Sequence, residues 1–378
     1  MMQTAIAPQE LRPTVMEVDL SALTHNLQCI RAHVGAAKIM AVVKANAYGH
    51  GLAECARQLA ADGADYLGVA LVEEGIELRR AGITKSILVF GGIWGGQIAH
   101  YLDYDLDITA SSADKLHAID ETAAASGRRA RVHLKIDTGL GRIGVQWDRL
   151  SPFADAVLAA RNCDIIGVFS HFATADEADQ TFAREQLRRF HETLDYLRSR
   201  GITWQYAHTA NSAAILTLPE ATFDMVRPGL ILYGVAPGTH LQNVLPLRAA
   251  MTLKSKVVYF KVIHAGQGIS YGQHFHAEHD TRIATVPVGY GDGYFRRLSG
   301  RGEVLIRGSR HPIVGNVCMD QMMVDIGPGG TAYNGDEVVL IGAQDKETIT
   351  VAELAETLET TPHEILTSTN LRVPRVYL

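Results

Sequence analysis

The sequence has few of the features that mark several large classes of protein. Only 4 of its 378 residues are cysteine, and no two of them lie at metal-ligand or redox-pair spacing. A disulfide scaffold is therefore excluded, and a reducing, cytoplasmic environment is expected. No apolar run approaches the roughly 20 residues that span a bilayer. The N-terminus also lacks the basic and apolar segments of a signal peptide, so no membrane partner is expected.

A strong excess of charge of one sign is also lacking. Lysine and arginine number 35 and aspartate and glutamate 41, which gives a formal net charge of −6. Nucleic-acid binding needs clustered positive charge to neutralise phosphates, so a nucleic acid is not an expected partner. The apolar share of 47% is that of an ordinary globular protein, and the length predicts two or three domains.

Eight short apolar runs alternate with amphipathic segments along the first two thirds of the chain. The clearest helical segments are residues 51–63, 72–82 and 180–200. The apolar runs are residues 39–44, 66–72, 87–91, 106–111, 132–137, 165–172, 205–212 and 225–229. This alternation predicts an α/β fold, a (β/α)8 barrel of the TIM type, over residues 15–246.

The pattern changes near residues 243–247. Alternating, β-branched and glycine-bounded runs follow, and they predict a mostly antiparallel β domain over residues 247–378. A hairpin turn is expected at Gly308-Ser309, and a short helix from Val351 to Leu358. Residues 1–14 are interpreted as an N-terminal segment that can pack on the β domain.

Uncommon polar residues stand at the predicted strand ends, where barrel enzymes carry their active sites. They are Lys44, Arg142, His171, Asn211, Ser212 and Arg227. A lysine at the end of a buried strand is desolvated, which favours its neutral amine, the form that attacks an aldehyde or carries a Schiff base. Tyr48, four residues after Lys44, has a hydroxyl suited to a phosphate oxygen.

Eight motifs carry a resemblance to a known family. They are VVKANAYGHG, HLKIDTGLGRIG, FSHFATAD, HTANSAA, VRPGLILYG, GISYG, VGYGDG and GNVCMDQ. In this order they resemble segments of alanine racemase, from about Val15 to Arg375. The resemblance implies an isomerase that uses pyridoxal 5′-phosphate (PLP) to interconvert L- and D-alanine. It also implies D-alanine biosynthesis for peptidoglycan precursors and a homodimer whose active site is shared between subunits.

The same resemblance implies a role for individual residues. Lys44 matches the lysine that binds PLP covalently and acts as base on D-alanine, and Tyr271 matches the base acting on L-alanine, supplied by the other subunit. Arg142, Met319 and Tyr290 match substrate-binding positions. The matching cofactor-binding positions are Lys44, Tyr48, His171, Ser212, Arg227, Gly229 and Leu230, the last two through backbone amides. Lys135 matches a lysine that some members carry as a carbamate, and no metal is expected.

Arg227 separates the main alternatives. A guanidinium only donates hydrogen bonds, so facing the PLP pyridine nitrogen it would keep that nitrogen unprotonated. A PLP-dependent decarboxylase of the same architecture pairs this nitrogen with an acid, so it is the weaker alternative. Leu371 and Asn316 stand where some members have tyrosine and arginine, which leaves a broad-specificity or serine-preferring racemase as the other alternative. We further hypothesise that Arg142 and a His171–Arg227 hydrogen-bond chain assist the Tyr271 base.

Overall fold

The structure, a computed structural model, describes residues 12–378. These residues form two compact units, Leu23–Arg248 and a second unit that joins residues 12–22 to Ala249–Leu378. The sequence placed residues 15–22 with the barrel. In the structure, however, the strand Val15–Val18 pairs with Met251–Lys256 and Arg375–Tyr377, so it belongs to the β unit. Most of the predicted N-terminal segment, residues 1–11, lies outside the described residues.

The first unit is the predicted barrel, and each of the eight apolar runs overlaps a strand. Every neighbouring pair along the sheet is parallel. The order is Met225–Val226, Lys38–Val42, Tyr66–Val69, Ile87–Val89, Asp107–Ala110, Ala130–Asp137, Cys163–Phe169 and Tyr206–His208. A short strand, Val145–Gln146, adds to one side of Ala130–Asp137. Because all the strands run the same way, their carboxyl ends meet at one end of the barrel.

Helices alternate with these strands. Their bounds are Leu20–Val34, Leu52–Ala61, Val72–Arg80, Ile98–Asp103, Ala113–Ser126, Ser151–Ala159, Thr181–Ser199 and Ser212–Thr217, and a left-handed turn occupies Lys44–Tyr48. In the long helix Thr181–Ser199 the predicted apolar face is buried at Leu187, Phe190 and Leu194. Gly201, with φ of 77°, follows the helix in the left-handed conformation that glycine tolerates. Burial of apolar faces against the sheet thus accounts for the alternation seen in the sequence.

The second unit is the predicted β domain, built on a ten-stranded sheet. The strands of this sheet are Val15–Val18, Met251–Lys256, Tyr259–Ile263, Thr281–Val286, Glu303–Ile306, Ser309–Val314, Met322–Gly327, Glu337–Gln344, Glu347–Ile349 and Arg375–Tyr377. A separate ribbon pairs Gly268–Ile269 with Phe275–His276. The helix Val351–Leu358 has the predicted bounds. A second helix, Pro362–Ser368, was not predicted, although its first-turn proline is a helix-start signal.

One turn differs from the prediction by a single residue. The hairpin of Glu303–Ile306 and Ser309–Val314 pairs Ile306 with Ser309, so the two turn residues are Arg307 and Gly308. Both have positive φ, 53° and 71°, as a two-residue turn that matches the strand twist requires. Within residues 12–378, no helix combines the length and apolarity needed to cross a bilayer.

Candidate active site

Lys44 lies just after the strand Lys38–Val42, at the start of an unusual turn. The next four residues, Ala45 to Tyr48, have φ between 52° and 56°, which is a left-handed turn without glycine. Such a conformation costs about 1–2 kcal/mol per residue. Glu74 accepts from the Ala45 amide at 2.6 Å, and the Asn46 side chain accepts from the Leu52 amide at 2.8 Å. Strain held in place in this way is typical of functional sites.

The environment of the Lys44 amine favours its neutral form. Burial lowers the pKa of Lys44, and the positive charges of Arg142 and Arg227 lower it further, while Glu74 acts in the opposite direction. The desolvation expected at this strand end is therefore present. A neutral amine is a nucleophile and a proton acceptor, whereas an ammonium ion is neither.

Tyr48, Ser212 and Gly229 lie together beside this turn. Ser212 Oγ accepts from the Gly229 amide at 2.9 Å and from the Ile231 amide at 3.4 Å, so its own proton can be donated elsewhere. A Cβ on Gly229 would lie 2.3 Å from the Tyr48 hydroxyl, so glycine is needed there. Leu230 is buried directly after it. The Gly229 amide, expected to face a phosphate, thus donates to Ser212 here.

Arg227 is buried at the end of the strand Met225–Val226, with only 4% of its surface exposed. Its Nη1 and Nη2 donate to the His208 ring and carbonyl, the His171 ring, and the carbonyls of Ser170 and Thr209. None of these acceptors is a carboxylate, and burial lowers the pKa of Arg227 to about 9. Among the described residues, its Nε–H meets no protein acceptor. That donor suits an aromatic ring nitrogen.

His171 and Lys135 adjoin Arg227. The predicted His171–Arg227 bond is present, with 3.3 Å between His171 Nδ1 and Arg227 Nη2. Burial, followed by the charge of Arg227, lowers the pKa of His171 well below its ordinary value, so the ring is neutral. Because Nδ1 accepts, the ring proton is on Nε2.

The Lys135 amine lies 4.8 Å from the centre of the Phe169 ring, and Arg227 lies over the same ring at 5.5 Å. Burial, and then the charges of Arg227 and Arg142, lower the pKa of Lys135 well below its ordinary value. A buried lysine in these surroundings is a neutral amine.

Arg142 lies on the loop after the strand Ala130–Asp137 and is exposed. Asp137 shapes this loop by accepting from the amides of Gly139 and Gly141. The barrel unit therefore gathers Lys44, Arg142 and Arg227 at its strand ends, where Glu74 and Asp137 are acids that partly offset their charge. This set of charges favours ligands with negative charge, such as a phosphate or a carboxylate.

The β unit holds the other predicted residues on an exposed patch. Tyr271 is 75% exposed, yet its backbone is fixed, because Asn316 Nδ2 donates to the Tyr271 carbonyl at 2.6 Å. Ser270, with φ of 66°, exchanges two hydrogen bonds with the Asn316 backbone. Asn316, singled out as a departure from the family pattern, therefore positions Tyr271.

Tyr290 and Met319 share the same patch. The Tyr290 amide donates to the Cys318 carbonyl at 3.0 Å, and the Gly291 amide to the Met319 carbonyl at 2.8 Å. The side chains of Tyr290 and Met319 are 42% and 53% exposed, and Leu371 is 90% exposed.

Sequence reasoning missed several residues that support the site. Glu74, Phe169 and His208 contact predicted site residues, but none of them was assigned a role. His208 begins the HTANSAA motif, so its position was the available signal. Glu74 carried none, since a glutamate in the first turn of a helix is common.

The fold and site place this protein in a class of barrel enzymes. The features that define the class are a (β/α)8 barrel followed by a β domain, a strained turn that carries a lysine, and strand-end residues that suit an anion. Comparison with known proteins gives the family. The model of the alanine racemase N-terminal domain matches residues 18–237, and that of the C-terminal domain matches residues 250–377. The chain belongs to the alanine racemase family.

Individual relatives agree over nearly the full length. The chain is 44% identical over 371 residues to "Alanine racemase 2" of Caldanaerobacter subterraneus subsp. tengcongensis, covering 98% of this chain and 96% of that protein. It is 43% identical over 369 residues to the alanine racemase of Carboxydothermus hydrogenoformans, covering 97% and 100%. The crystal structure of alanine racemase from Streptomyces lavendulae superimposes with a TM-score of 0.94 at 42% identity, covering 97% of each chain.

Proposed function

We propose that this protein interconverts L- and D-alanine with PLP as cofactor and Lys44 and Tyr271 as the two bases. The observation that carries this proposal is the strand-end cluster of Lys44, whose pKa is lowered by burial, and a buried Arg227 with an Nε–H available to a ring nitrogen. Family membership over both units supports the reaction type.

The residues of the barrel unit fit PLP. The hydroxyls of Tyr48 and Ser212, with the backbone amide of Leu230, form a small polar group that can hold a phosphate, while the Gly229 amide orients the Ser212 hydroxyl by donating to it. Arg227 would donate its Nε–H to the ring nitrogen, and His171 lies next to Arg227. When bound, PLP supplies an electron-accepting ring that makes the α-proton of an amino acid acidic.

Racemisation removes the α-proton from one face and returns a proton to the other, and two bases on opposite faces do this without turning the substrate over. Burial and neighbouring cations lower the pKa of the Lys44 Nζ, which favours the form that can take the proton on one face. The Tyr271 hydroxyl is the proposed acid or base on the opposite face. His171 Nε2–H is a donor that can stabilise the deprotonated tyrosine oxygen, which extends the His171–Arg227 hypothesis.

Substrate recognition is proposed to involve charge and shape. The exposed Arg142 guanidinium can bind the substrate carboxylate in a two-pronged contact. Tyr290 and Met319 are proposed to border the substrate. We propose that these two and Tyr271 act on the barrel of a second copy of the chain, in a homodimer with shared active sites. A cytoplasmic location and a role in peptidoglycan precursor supply are part of the same proposal.

Lys135 is proposed to carry carbon dioxide as a carbamate. Its neutral amine can add to carbon dioxide, forming an N–C bond and releasing one proton. The resulting anion would offset the charges of Arg142 and Arg227, which lower the pKa of the unmodified amine. Mass measurement of the native protein in bicarbonate and in carbon dioxide-free buffer tests this assignment.

The function is tested with purified protein and added PLP. We expect loss of optical activity from either L- or D-alanine, without release of carbon dioxide. Release of carbon dioxide would identify a decarboxylase instead. Assays of L-serine, L-lysine and L-arginine alongside L-alanine test the broad-specificity alternative, and a higher kcat/KM for serine would contradict the alanine assignment.

A further inference from the structure

A chain of buried polar side chains crosses the interior of the barrel and ends at Arg227. Asp107 Oδ2 lies 3.2 Å from His133 Nε2, and His133 Nδ1 lies 2.9 Å from His208 Nε2. His208 Nδ1 lies 2.8 Å from Arg227 Nη1. All four side chains are buried. Barrel interiors are usually filled by branched apolar side chains, so this row of polar groups calls for an explanation.

The direction of every hydrogen bond in the chain is fixed by its two ends. Arg227 can only donate, so His208 Nδ1 must accept, and the proton of the neutral ring is on Nε2. His208 Nε2–H then donates to His133 Nδ1. His133 Nε2–H donates to the Asp107 carboxylate, which can only accept. Only the combination with both protons on Nε2 satisfies all three contacts. Every other combination of neutral tautomers places two donors against each other.

The carboxylate end of the chain is firmly held. Asp107 also accepts from Arg131 Nε at 2.6 Å and from the Tyr66 hydroxyl at 2.5 Å. Burial raises the pKa of Asp107, but the hydrogen bonds from His133 and Arg131 outweigh it and lower the pKa overall. Asp107 therefore stays ionised and remains an acceptor.

The backbone also makes room for the two histidines. A Cβ on Gly167 would lie 2.3 Å from His133 Nδ1 and 3.1 Å from His208 Nε2. Any larger residue at position 167 would push the two histidine rings apart. The lack of a side chain at Gly167 leaves the space that the two rings occupy, so this glycine is a second feature of the barrel that supports the row of hydrogen bonds.

Asp107 is the first residue of its strand, whereas His208 is the last residue of its own. The chain therefore links the amino end of the barrel to the end that carries the candidate site. We propose that Asp107 is a positioning residue, which through His133 and His208 fixes the tautomer that orients Arg227 toward the PLP ring nitrogen. This inference rests on the proposed function. Asp107 itself touches neither cofactor nor substrate.

Asp107→Asn tests the chain with almost no change in volume. An asparagine has one accepting oxygen and one donating NH2 group, so either orientation sets a donor against His133 or against Arg131. We expect kcat to fall roughly 10- to 100-fold, by analogy with the loss of hydrogen-bond partners that orient metal-ligating histidines. KM for alanine should change little, and the apoenzyme should bind PLP more weakly.

Two substitutions of His133 separate polarity from packing. His133→Gln can still donate to Asp107 and accept from His208, so it should keep most of the activity. His133→Leu cannot do either, and we expect it to match Asp107→Asn. Asp65→Asn is the matched control, because Asp65 pairs with Arg31 and Lys38 and takes no part in the Asp107–His133–His208–Arg227 row. The kcat of Asp65→Asn should equal that of wild type.

The direct measurement is proton NMR of the holoenzyme in the region where hydrogen-bonded imidazole protons appear. Wild type and Asp65→Asn should show the resonances of His133 Nε2–H and His208 Nε2–H, and Asp107→Asn should lose or shift both.

Retention of both resonances and of kcat in Asp107→Asn would overturn the proposal. Equal losses of kcat and melting temperature in Asp107→Asn, His133→Gln and His133→Leu would reduce the chain to a structural role and also overturn it. A wild type without racemase activity would refute the proposed function instead, and the resonances would still decide whether Asp107 sets the tautomers.

Discussion

The two units hold their candidate site residues in opposite ways. In the barrel, Lys135 and Arg227 are buried, and Arg227 is fixed by the hydrogen bonds that it donates to residues at the ends of two neighbouring strands. In the β unit, Tyr271, Tyr290 and Met319 expose 42% to 75% of their surface while their backbones are tied by hydrogen bonds. Buried, hydrogen-bonded side chains suit the barrel to hold a ligand rigidly. Exposed side chains on a fixed backbone suit the β unit to contact another molecule.

The electrostatics of the two units differ in the same sense. In the barrel, burial and neighbouring cations lower the pKa of the amines of Lys44 and Lys135. In the β unit, burial lowers the pKa of Lys254, but hydrogen bonds and charge from Glu17 and Glu337 outweigh it and raise the pKa overall. A lysine paired with two carboxylates stabilises its unit as a cation, whereas the surroundings of Lys44 and Lys135 favour the neutral amine.

The strongest test of the barrel's role is Lys44→Ala. Loss of the amine would remove the proposed covalent anchor for PLP and one of the two proposed bases, so we expect racemisation to fall by at least about 10²- to 10⁴-fold. The absorption band of lysine-bound PLP should disappear as well. Lys38→Ala, at the start of the same strand, is the control and should keep both. A Lys44→Ala protein that retains the band would contradict the assignment.

The second test asks whether the β unit completes the barrel of another copy. Lys44→Ala and Tyr271→Phe should each be nearly inactive alone. After random exchange of subunits, half of the dimers are mixed, and one of their two sites keeps both bases, so about a quarter of wild-type activity should return. If exchange is demonstrated and no activity returns, Lys44 and Tyr271 act within one chain.

The third test concerns the buried amine of Lys135. Its pKa in the folded protein is below the ordinary value of 10.5, so in the window between the two values the unfolded chain holds one more proton. The free energy of unfolding then rises with pH there, by at most about 1.4 kcal/mol per unit. Lys135→Met should remove this slope in carbon dioxide-free buffer.

Lys254→Met in the β unit provides the contrast for Lys135→Met. Because the pKa of Lys254 is raised, its stabilisation is complete below 10.5 and is lost as pH rises through the folded value. Lys254 therefore makes the free energy of unfolding fall as pH rises above 10.5, whereas Lys135 makes it rise with pH below 10.5. Lys254→Met and Lys135→Met should remove slopes of opposite sign. Denaturant unfolding at several pH values measures both variants, and slopes of the same sign would contradict the comparison.

The smallest expected effect is that of Leu371→Tyr. Leu371 is 90% exposed, and a tyrosine there could reach the phosphate in a shared site. One hydrogen bond to a charged group at a wet position should tighten PLP binding by roughly three- to tenfold. It should also raise the alanine-to-serine ratio of kcat/KM. If dialysis and kinetics show neither change, residue 371 does not reach the active site.

Much of the fold could be predicted because its signals are local. The eight strands follow from runs of apolar residues, and Val351–Leu358 follows from helical spacing and a threonine cap. The strand Val15–Val18 was placed in the wrong unit because nothing local reveals that its partners are Met251–Lys256 and Arg375–Tyr377. The Arg307-Gly308 turn was missed by one residue because pairing register, not turn composition, set its position.

The candidate site divides in the same way. The motifs identified Lys44, Arg142 and Arg227, and their strand-end positions indicated a common location. They did not reveal that Asn316 holds Tyr271, or that Ser212 Oγ accepts from the Gly229 amide. Those contacts join residues 45 and 17 positions apart in the sequence, and only folding brings them together.

The sequence by itself determined the barrel, the β domain and the chemical types available at the strand ends, because apolar periodicity and motif residues are written locally. The tertiary structure alone decided the protonation of those groups. The neutral Lys135, the acceptor at His208 Nδ1 and the ionised Asp107 each depend on burial and on partners from other strands. Desolvation and donor–acceptor matching act through space, so no stretch of sequence carries them.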